Sequence, residues 1–177
     1  EVLLPLTLAA IAVYYLIAKS EASTNLARYD GLRFSPLDVA AATLLEQNVA
    51  TRGAGFGPEV KRAILMGTYA LSAGYYNAWY KQASKVRTLI RREYETVFKG
   101  VDVLAGPVAP EVAFTIGSKA NDPLAMYLSD ALTVPFSVAG VPALSVPCGL
   151  AQGLPVGLQL AAPHFEEERL FTVAHAY

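Results

Sequence analysis

Few side chains in this sequence could do chemistry, and their spacing narrows what that chemistry could be. Cys148 stands in Pro147-Cys148-Gly149. A thiol becomes a nucleophile only beside a base or a cation, and its neighbours offer neither, so packing is the simpler reading. A single cysteine also excludes a disulfide within the chain. With only His164 and His175 beside it, a His/Cys metal set is not expected. His164 follows Pro163 in a polar loop and reads as a surface residue. Asp130, in Ser129-Asp130-Ala131-Leu132-Thr133, reads either as a helix cap or as a binding carboxylate. Tyr14, inside an apolar run, reads as core. Gly53, Gly55 and Gly57 resemble a phosphate cradle only superficially, because no strand precedes them. There is no G-x-S-x-G elbow, no P-loop and no G-x-G-x-x-G.

The elements that must position these groups follow from composition and periodicity. Of 177 residues, 54% are hydrophobic and 16% charged, which excludes a disordered chain. A net charge of −1 gives no global field to steer nucleic acid or acidic ligands. The sequence opens on Glu1-Val2 and closes on an unfinished helical pattern, Phe171 to Tyr177, which reads as part of a larger protein. Val2 to Ala18 carries no charge. About 17 apolar residues is the lower limit for a membrane span, and Pro5, Lys19 and Glu21 bound the run, so it is expected to be a buried helix rather than a span.

Small polar residues over 20–34 compete with helix, and Asp30-Gly31 signals a turn. Ser35-Pro36 reads as an N-cap and first helical position for a helix to about Val49. Pro58 starts the next helix, to about Ser72, and a long one is expected over Tyr75–Lys99. In that one Trp79, Ala83, Val86, Ile90, Tyr94 and Val97 recur at three- and four-residue steps. Its other face carries Lys81, Lys85, Arg87, Arg91, Arg92 and Lys99 against Glu93 and Glu95, either an RNA or partner surface or an ordinary solvated face. Short strands are expected at 101–107, 143–147 and 155–160, a short helix after Asp122-Pro123, and a last helix from Glu166. Three strands are too few for so many helices, so most of the sheet is expected outside the chain.

Several strings, read together, resemble the A subunits of tRNA-dependent Glu/Asp amidotransferases, within the amidase signature family. They are Y-Y-L-I-A-K-S-E-A-S-T-N-L-A-R-Y-D-G at 14–31, G-F-G-P-E-V-K-R at 55–62, G-T-Y-A-L-S-A-G-Y-Y at 67–76 and K-V-R-T-L-I at 85–90. D-P-L-A-M-Y-L-S-D at 122–130, A-G-V-P-A-L-S-V-P-C-G at 139–149 and L-P-V-G-L-Q at 154–159 follow in the family's order. The resemblance implies an α/β fold over 1–177 as a single region, the C-terminal part of an amidase-signature domain, with helices on a mixed sheet completed elsewhere.

It also implies a function. Such proteins hydrolyse glutamine, and the ammonia passes to a partner that amidates a mischarged Glu- or Asp-tRNA. The expected partners are the B and C subunits, with tRNA held through the partner, in cytoplasm or an organelle matrix. ATP and Mg²⁺ would belong to the partner, with no cofactor expected in this chain. The family's catalysts, a lysine and two serines in a Gly/Ser-rich signature, activate a hydroxyl nucleophile and are absent here, so the chain alone is expected to be inactive. By the family pattern, Tyr14 and Asp130 fall on pocket positions, the aspartate binding the α-ammonium of glutamine. The family usually reads E-V-K-R-R, its second arginine clamping the α-carboxylate; this sequence has Ala63 there, after Arg62. Three readings stay open: glutamine bound by a changed pocket, another amide as substrate, or an amidase-derived piece kept for assembly.

Overall fold

The computed structural model describes residues 1–34, 37 and 39–177. The apolar run at the start does not form one helix. Pro5–Ala9 is a 3₁₀ turn, in which the Leu4 carbonyl accepts from the Thr7 amide and hydroxyl, and α1 follows over Ala10–Leu26. Leu3 and Leu8 are exposed, whereas Ala10, Val13 and Ile17 are buried. Among the described residues no helix is long and apolar enough to cross a membrane.

α1 also runs into the polar stretch where helix was expected to break, as far as Leu26, and the expected turn at Asp30-Gly31 lies beyond it. The competing hydroxyls are absorbed by the helix itself. Ser20 donates to the Leu16 carbonyl at 2.6 Å, Ser23 to Ser20 at 2.9 Å, and Thr24 to Glu21 at 2.9 Å. Such back-bonds leave the main-chain ladder intact.

The chain divides into two compact units, Tyr15–Ala83 and Glu1–Tyr14 with Ser84–Tyr177; the divisions fall within helices. In the first, the expected opening at Ser35-Pro36 lies outside the described residues. The helix there, α2, begins later, at Leu44–Gly55. Thr43 accepts from the Glu46 amide and Glu46 returns the bond to the Thr43 amide, a capping box that fixes this start. The expected helix from Pro58 is present as α3, Pro58–Leu71. Its buried face is a row of small residues, Ala63, Gly67 and Ala70, and Gly67 lies directly on the α1 backbone at Lys19. Two turns earlier on α3, Glu59 takes the Lys19 ammonium at 2.6 Å.

The expected long helix is shorter than its periodicity. Gly74 has φ +89°, turns fill 73–79, and α4 runs Tyr80–Val97. The Lys81 amide bonds the Tyr76 carbonyl, five residues back, so the regular ladder starts only afterwards. Trp79 is left partly exposed.

In the second unit, Ile90 and Tyr94 of α4 are buried, the Tyr94 ring edge-on to Phe136 at 5.4 Å. All three expected strands are present: β1 Leu104–Pro107, β2 Ala143–Ala151 and β3 Leu154–Ala161. They pair antiparallel in the order β1-β3-β2. β2 and β3 form a hairpin whose two loop residues, Gln152 and Gly153, both have positive φ, the geometry that matches strand twist. Helices α5 Pro123–Leu128, α6 Val134–Ala139 and α7 Glu167–Ala176 complete the unit. Leu160, Ala162 and Leu170 form its core with Leu144, Leu158 and Ala174 against them. Helices on a small sheet are what the sequence implied.

Candidate functional site

Asp122 caps α5, its carboxylate accepting the Ala125 amide at 3.0 Å, and Pro123 supplies the first helical position. α5 then unwinds through a turn that carries Asp130. The Asp130 amide bonds the Tyr127 carbonyl at 3.2 Å, and its own carbonyl accepts the amides of Thr133 and Val134 and the Thr133 hydroxyl. It is thus the main chain of Asp130 that joins α5 to α6, and the residue is exposed. The Asp130 carbonyl therefore accepts the main-chain and hydroxyl bonds of the turn that leads into α6.

The turn is held from one side by a residue that sequence reasoning missed. Lys119, largely buried, donates to the Ser129 hydroxyl at 2.7 Å, pairs with Glu111, and lies 4.3 Å from the centre of the Phe114 ring. One cation therefore ties segment 111–114 to the residue before Asp130. Beside it is a cavity of about 380 Å³ lined by Val108–Phe114, Ser129 and Pro155–Gly157. Gly157 keeps one wall thin: a β-carbon there would stand 2.6 Å from Val108 Cγ1 and 2.7 Å from Ser145 Oγ. The only sequence trace of Lys119 is a lysine in a polar loop, which carries no distinguishing pattern.

Tyr14 is half-buried on α1, next to the buried Val13. It belongs to the same unit as Asp130, whereas Ala63 belongs to the other. Ala63 is buried, 7% exposed, on the small-residue face of α3. The cavity lining includes Ser129 but none of these three. Arg62, the neighbouring cation, pairs with Glu59.

Cys148 sits at a bulge in β2, half-buried, its thiol 3.5 Å from the Val156 carbonyl, consistent with packing. Among the described residues no group of three His, Cys, Asp or Glu is placed to hold a metal ion. Two phenols depart from their ordinary acidity. Burial, with the neighbouring Glu93 charge adding to it, holds the Tyr94 phenol well above its usual range. A hydrogen bond with Tyr75 raises Tyr69.

Comparison with known proteins gives this geometry its context. The Amidase family model matches residues 1–171. Over all 177 residues the chain is 55% identical to the A subunit of the glutamyl-tRNA(Gln) amidotransferase of Geobacillus thermodenitrificans and 58% identical to that of Roseiflexus castenholzii. It spans 36% of each relative's length, about a third. Among solved structures, the corresponding glutamyl-tRNA(Gln) amidotransferase chain of Thermotoga maritima superposes with TM-score 0.69 at 37% identity. The match covers 98% of this chain and 32% of that one. A crystal structure of an amidase superposes with TM-score 0.70 at 27% identity, covering 98% of this chain and 36% of the other.

Proposed function

The chain belongs to the amidase family, and from that premise we propose that it is the substrate-pocket part of a glutamine amidotransferase of the A-subunit type. The observation that carries this reading is the identity of 55–58% to such proteins across every residue of the chain. In this role the chain forms one side of a pocket whose nucleophile is supplied by sequence it does not contain. The Asp130 carboxylate binds the α-ammonium of glutamine through a charge-assisted bond. Tyr14 supplies a wall. Position 63, where the family pattern has an arginine, leaves the α-carboxylate without that clamp. Lys119 fixes the approach of the Asp130 turn through Ser129.

The partners proposed are B and C subunits, which take the released ammonia to a mischarged Glu- or Asp-tRNA. ATP and Mg²⁺ act on the partner, and the setting is cytoplasm or an organelle matrix. Without the lysine and serine catalysts the chain by itself releases no ammonia; losing such a set costs on the order of 10⁶ in rate in a serine-protease case.

The test is reconstitution. The complete amidotransferase, its A subunit carrying this sequence and assembled with B and C, is assayed for ammonia release from glutamine and for amidated tRNA. Glutamine-dependent tRNA amidation supports the reading. Hydrolysis of simple amides with no activity on glutamine overturns it in favour of another amidase. Ala63 gives that second reading its specific support, because an amide without an α-carboxylate needs no cation at that position.

A further inference from the structure

The turn that leaves α1 holds chemistry in the main chain itself. Of the five aspartates in the sequence, at 30, 38, 102, 122 and 130, Asp30 alone precedes a glycine, and no asparagine does. A glycine amide is the least hindered nitrogen a backbone offers, because no side chain crowds the approach to it. Asp38 and Asp102 each precede a valine, whose branched side chain obstructs the nitrogen. Asp122 precedes Pro123, which has no N–H to lose. After Asp130, the Ala131 amide is committed to the Leu128 carbonyl.

The fold sets the carboxyl group and that amide together. Beyond the end of α1, Arg52 donates to the carbonyls of Leu26 and Tyr29, with its guanidinium 4.9 Å from the centre of the Phe56 ring. The main chain is thereby anchored up to the residue before Asp30. Asp30 Oδ1 then accepts the Leu32 amide at 3.0 Å. A carboxyl group that reaches the amide two residues ahead arches over the amide between them, which brings Cγ toward the Gly31 nitrogen. Gly31 has φ +75°, and among the described residues its amide donates no hydrogen bond. The Leu32 N–H also steadies charge on the oxygen as the carbon becomes tetrahedral, as a donor in an oxyanion hole does. Asp30 is exposed, so water reaches the turn.

We propose that Asp30-Gly31 is a site of self-modification, at which the aspartate converts to isoaspartate. The Gly31 nitrogen attacks Cγ of the protonated Asp30 carboxyl. The carboxyl hydroxyl and the amide proton leave together as water, and a succinimide ring closes. Water then adds to the ring carbonyl that was the Asp30 main-chain carbonyl, the bond from that carbon to nitrogen breaks, and the chain continues through Cγ. The water lost in the first step is regained in the second, so mass is conserved and no oxidant or reductant is needed. The product has an extra methylene in its main chain and a free carboxylate on Cα. The bond from Oδ1 to Leu32 is lost. The change reshapes a cavity of about 240 Å³ that Asp30 and Gly31 line with Tyr29, Phe34, Arg52 and Phe56. None of the proposed glutamine-pocket residues takes part, so the site is independent of that reading.

The experiment is an ageing series of the full chain at physiological pH and temperature, run in parallel folded and in urea. Trypsin cuts after Arg28 and Arg33 and releases the peptide Y-D-G-L-R, residues 29–33. In the folded chain that peptide should acquire a second chromatographic peak of identical mass, which grows with time. The same peptide should accept methyl groups from an isoaspartyl carboxyl methyltransferase, used as the probe. Asp30→Glu should lose both signals, because its longer side chain does not close the five-membered ring. Leu32→Pro keeps Asp30-Gly31 but removes the assisting amide, and most of the second peak should be lost. Four results would overturn the proposal: a folded chain still unmodified when the chain in urea has reacted, equal methyl acceptance at Asp102 or Asp130, undiminished methyl acceptance in Asp30→Glu, or an unchanged rate in Leu32→Pro.

Discussion

Gly67 of α3 lies so close to Lys19 of α1 that a β-carbon on it would stand 2.6 Å from the Lys19 carbonyl carbon and 2.8 Å from Ser23 Cβ. The two helices meet backbone to backbone, and small residues make the approach possible: Ser23 on one side, Gly67 on the other. On propensity alone, Gly67→Ala should stabilise a helix by about 1 kcal/mol. Against that stands overpacking of about 1–3 kcal/mol, at its upper end here because the obstacle is main chain rather than a flexible side chain. The clash wins, and Gly67→Ala should lower the melting temperature by roughly 2–6 °C for a chain of this size. Thermal denaturation followed by circular dichroism checks it; an unchanged or higher melting temperature would show that α1 and α3 are not in this contact.

Tyr94 predicts the alkaline behaviour. Its ring is 1% exposed, and burial raises the phenol above its ordinary value near 10. In the unfolded chain the phenol ionises from about pH 10; in the folded one it stays neutral. Above pH 10 the unfolded state therefore binds fewer protons, and stability falls as pH rises from there toward the folded value. Below pH 10 this group contributes no pH dependence. Tyr94→Phe should flatten the loss between pH 10 and 11 in urea melts, and a slope the same in both proteins would assign the loss to other groups.

Lys119 carries a prediction about segment 110–119. Its pairing with Glu111 is half in solvent and contributes little. Its bond to Ser129 is more shielded, and such bonds contribute about 1–2 kcal/mol. Lys119→Met keeps the apolar stem against Phe114 and removes the bond. The segment should then be cut faster by protease than in the parent chain, with little change in global melting temperature. Equal cutting rates would mean that the segment is held by something else.

What the residues announced and what they concealed have separate physical causes. Pro58 and Asp122-Pro123 marked helix starts because proline at the first turn costs no hydrogen bond, and both helices begin there. The three strands were legible from β-branched runs bounded by glycine and proline. Where the reading failed, local chemistry had two outcomes. Ser20, Ser23 and Thr24 can break a helix or bond within it, and here they bond within it. The start of α2 was written in Thr43-x-x-Glu46, but Ser35-Pro36 offered a competing signal upstream. The slip at Tyr76–Lys81 leaves no pattern, since its tyrosines suit helix and turn alike. Gln152-Gly153 was a hairpin signal that passed unread. The assignment of Tyr14, Asp130 and Ala63 to a proposed pocket came from family resemblance, because an isolated tyrosine, aspartate or alanine has no signature of its own. Lys119 had none either, since its role depends on Ser129 ten residues on.

Position 63 offers the sharpest test of the proposed substrate. Ala63 is one helical turn from both Glu59 and Gly67, and those two residues meet Lys19 through its ammonium and its carbonyl. An arginine there has a long, flexible stem that can carry its guanidinium past a crowded helix face, whereas an alanine cannot reach a ligand at all. If the pocket takes glutamine, Asp130 holds the ammonium end and nothing at position 63 holds the carboxylate. A charge-assisted bond of that kind contributes about 1.5–3 kcal/mol, equivalent to about 10- to 150-fold in affinity. Ala63→Arg in the complete amidotransferase should therefore lower the glutamine KM by up to that factor, with kcat little changed, because the clamp binds ground state and transition state alike. Asp130→Asn should raise the KM in both backgrounds. An Ala63→Arg enzyme that folds and shows the parent KM would remove position 63 from the pocket, and glutamine kinetics indifferent to Asp130→Asn would remove Asp130 as well.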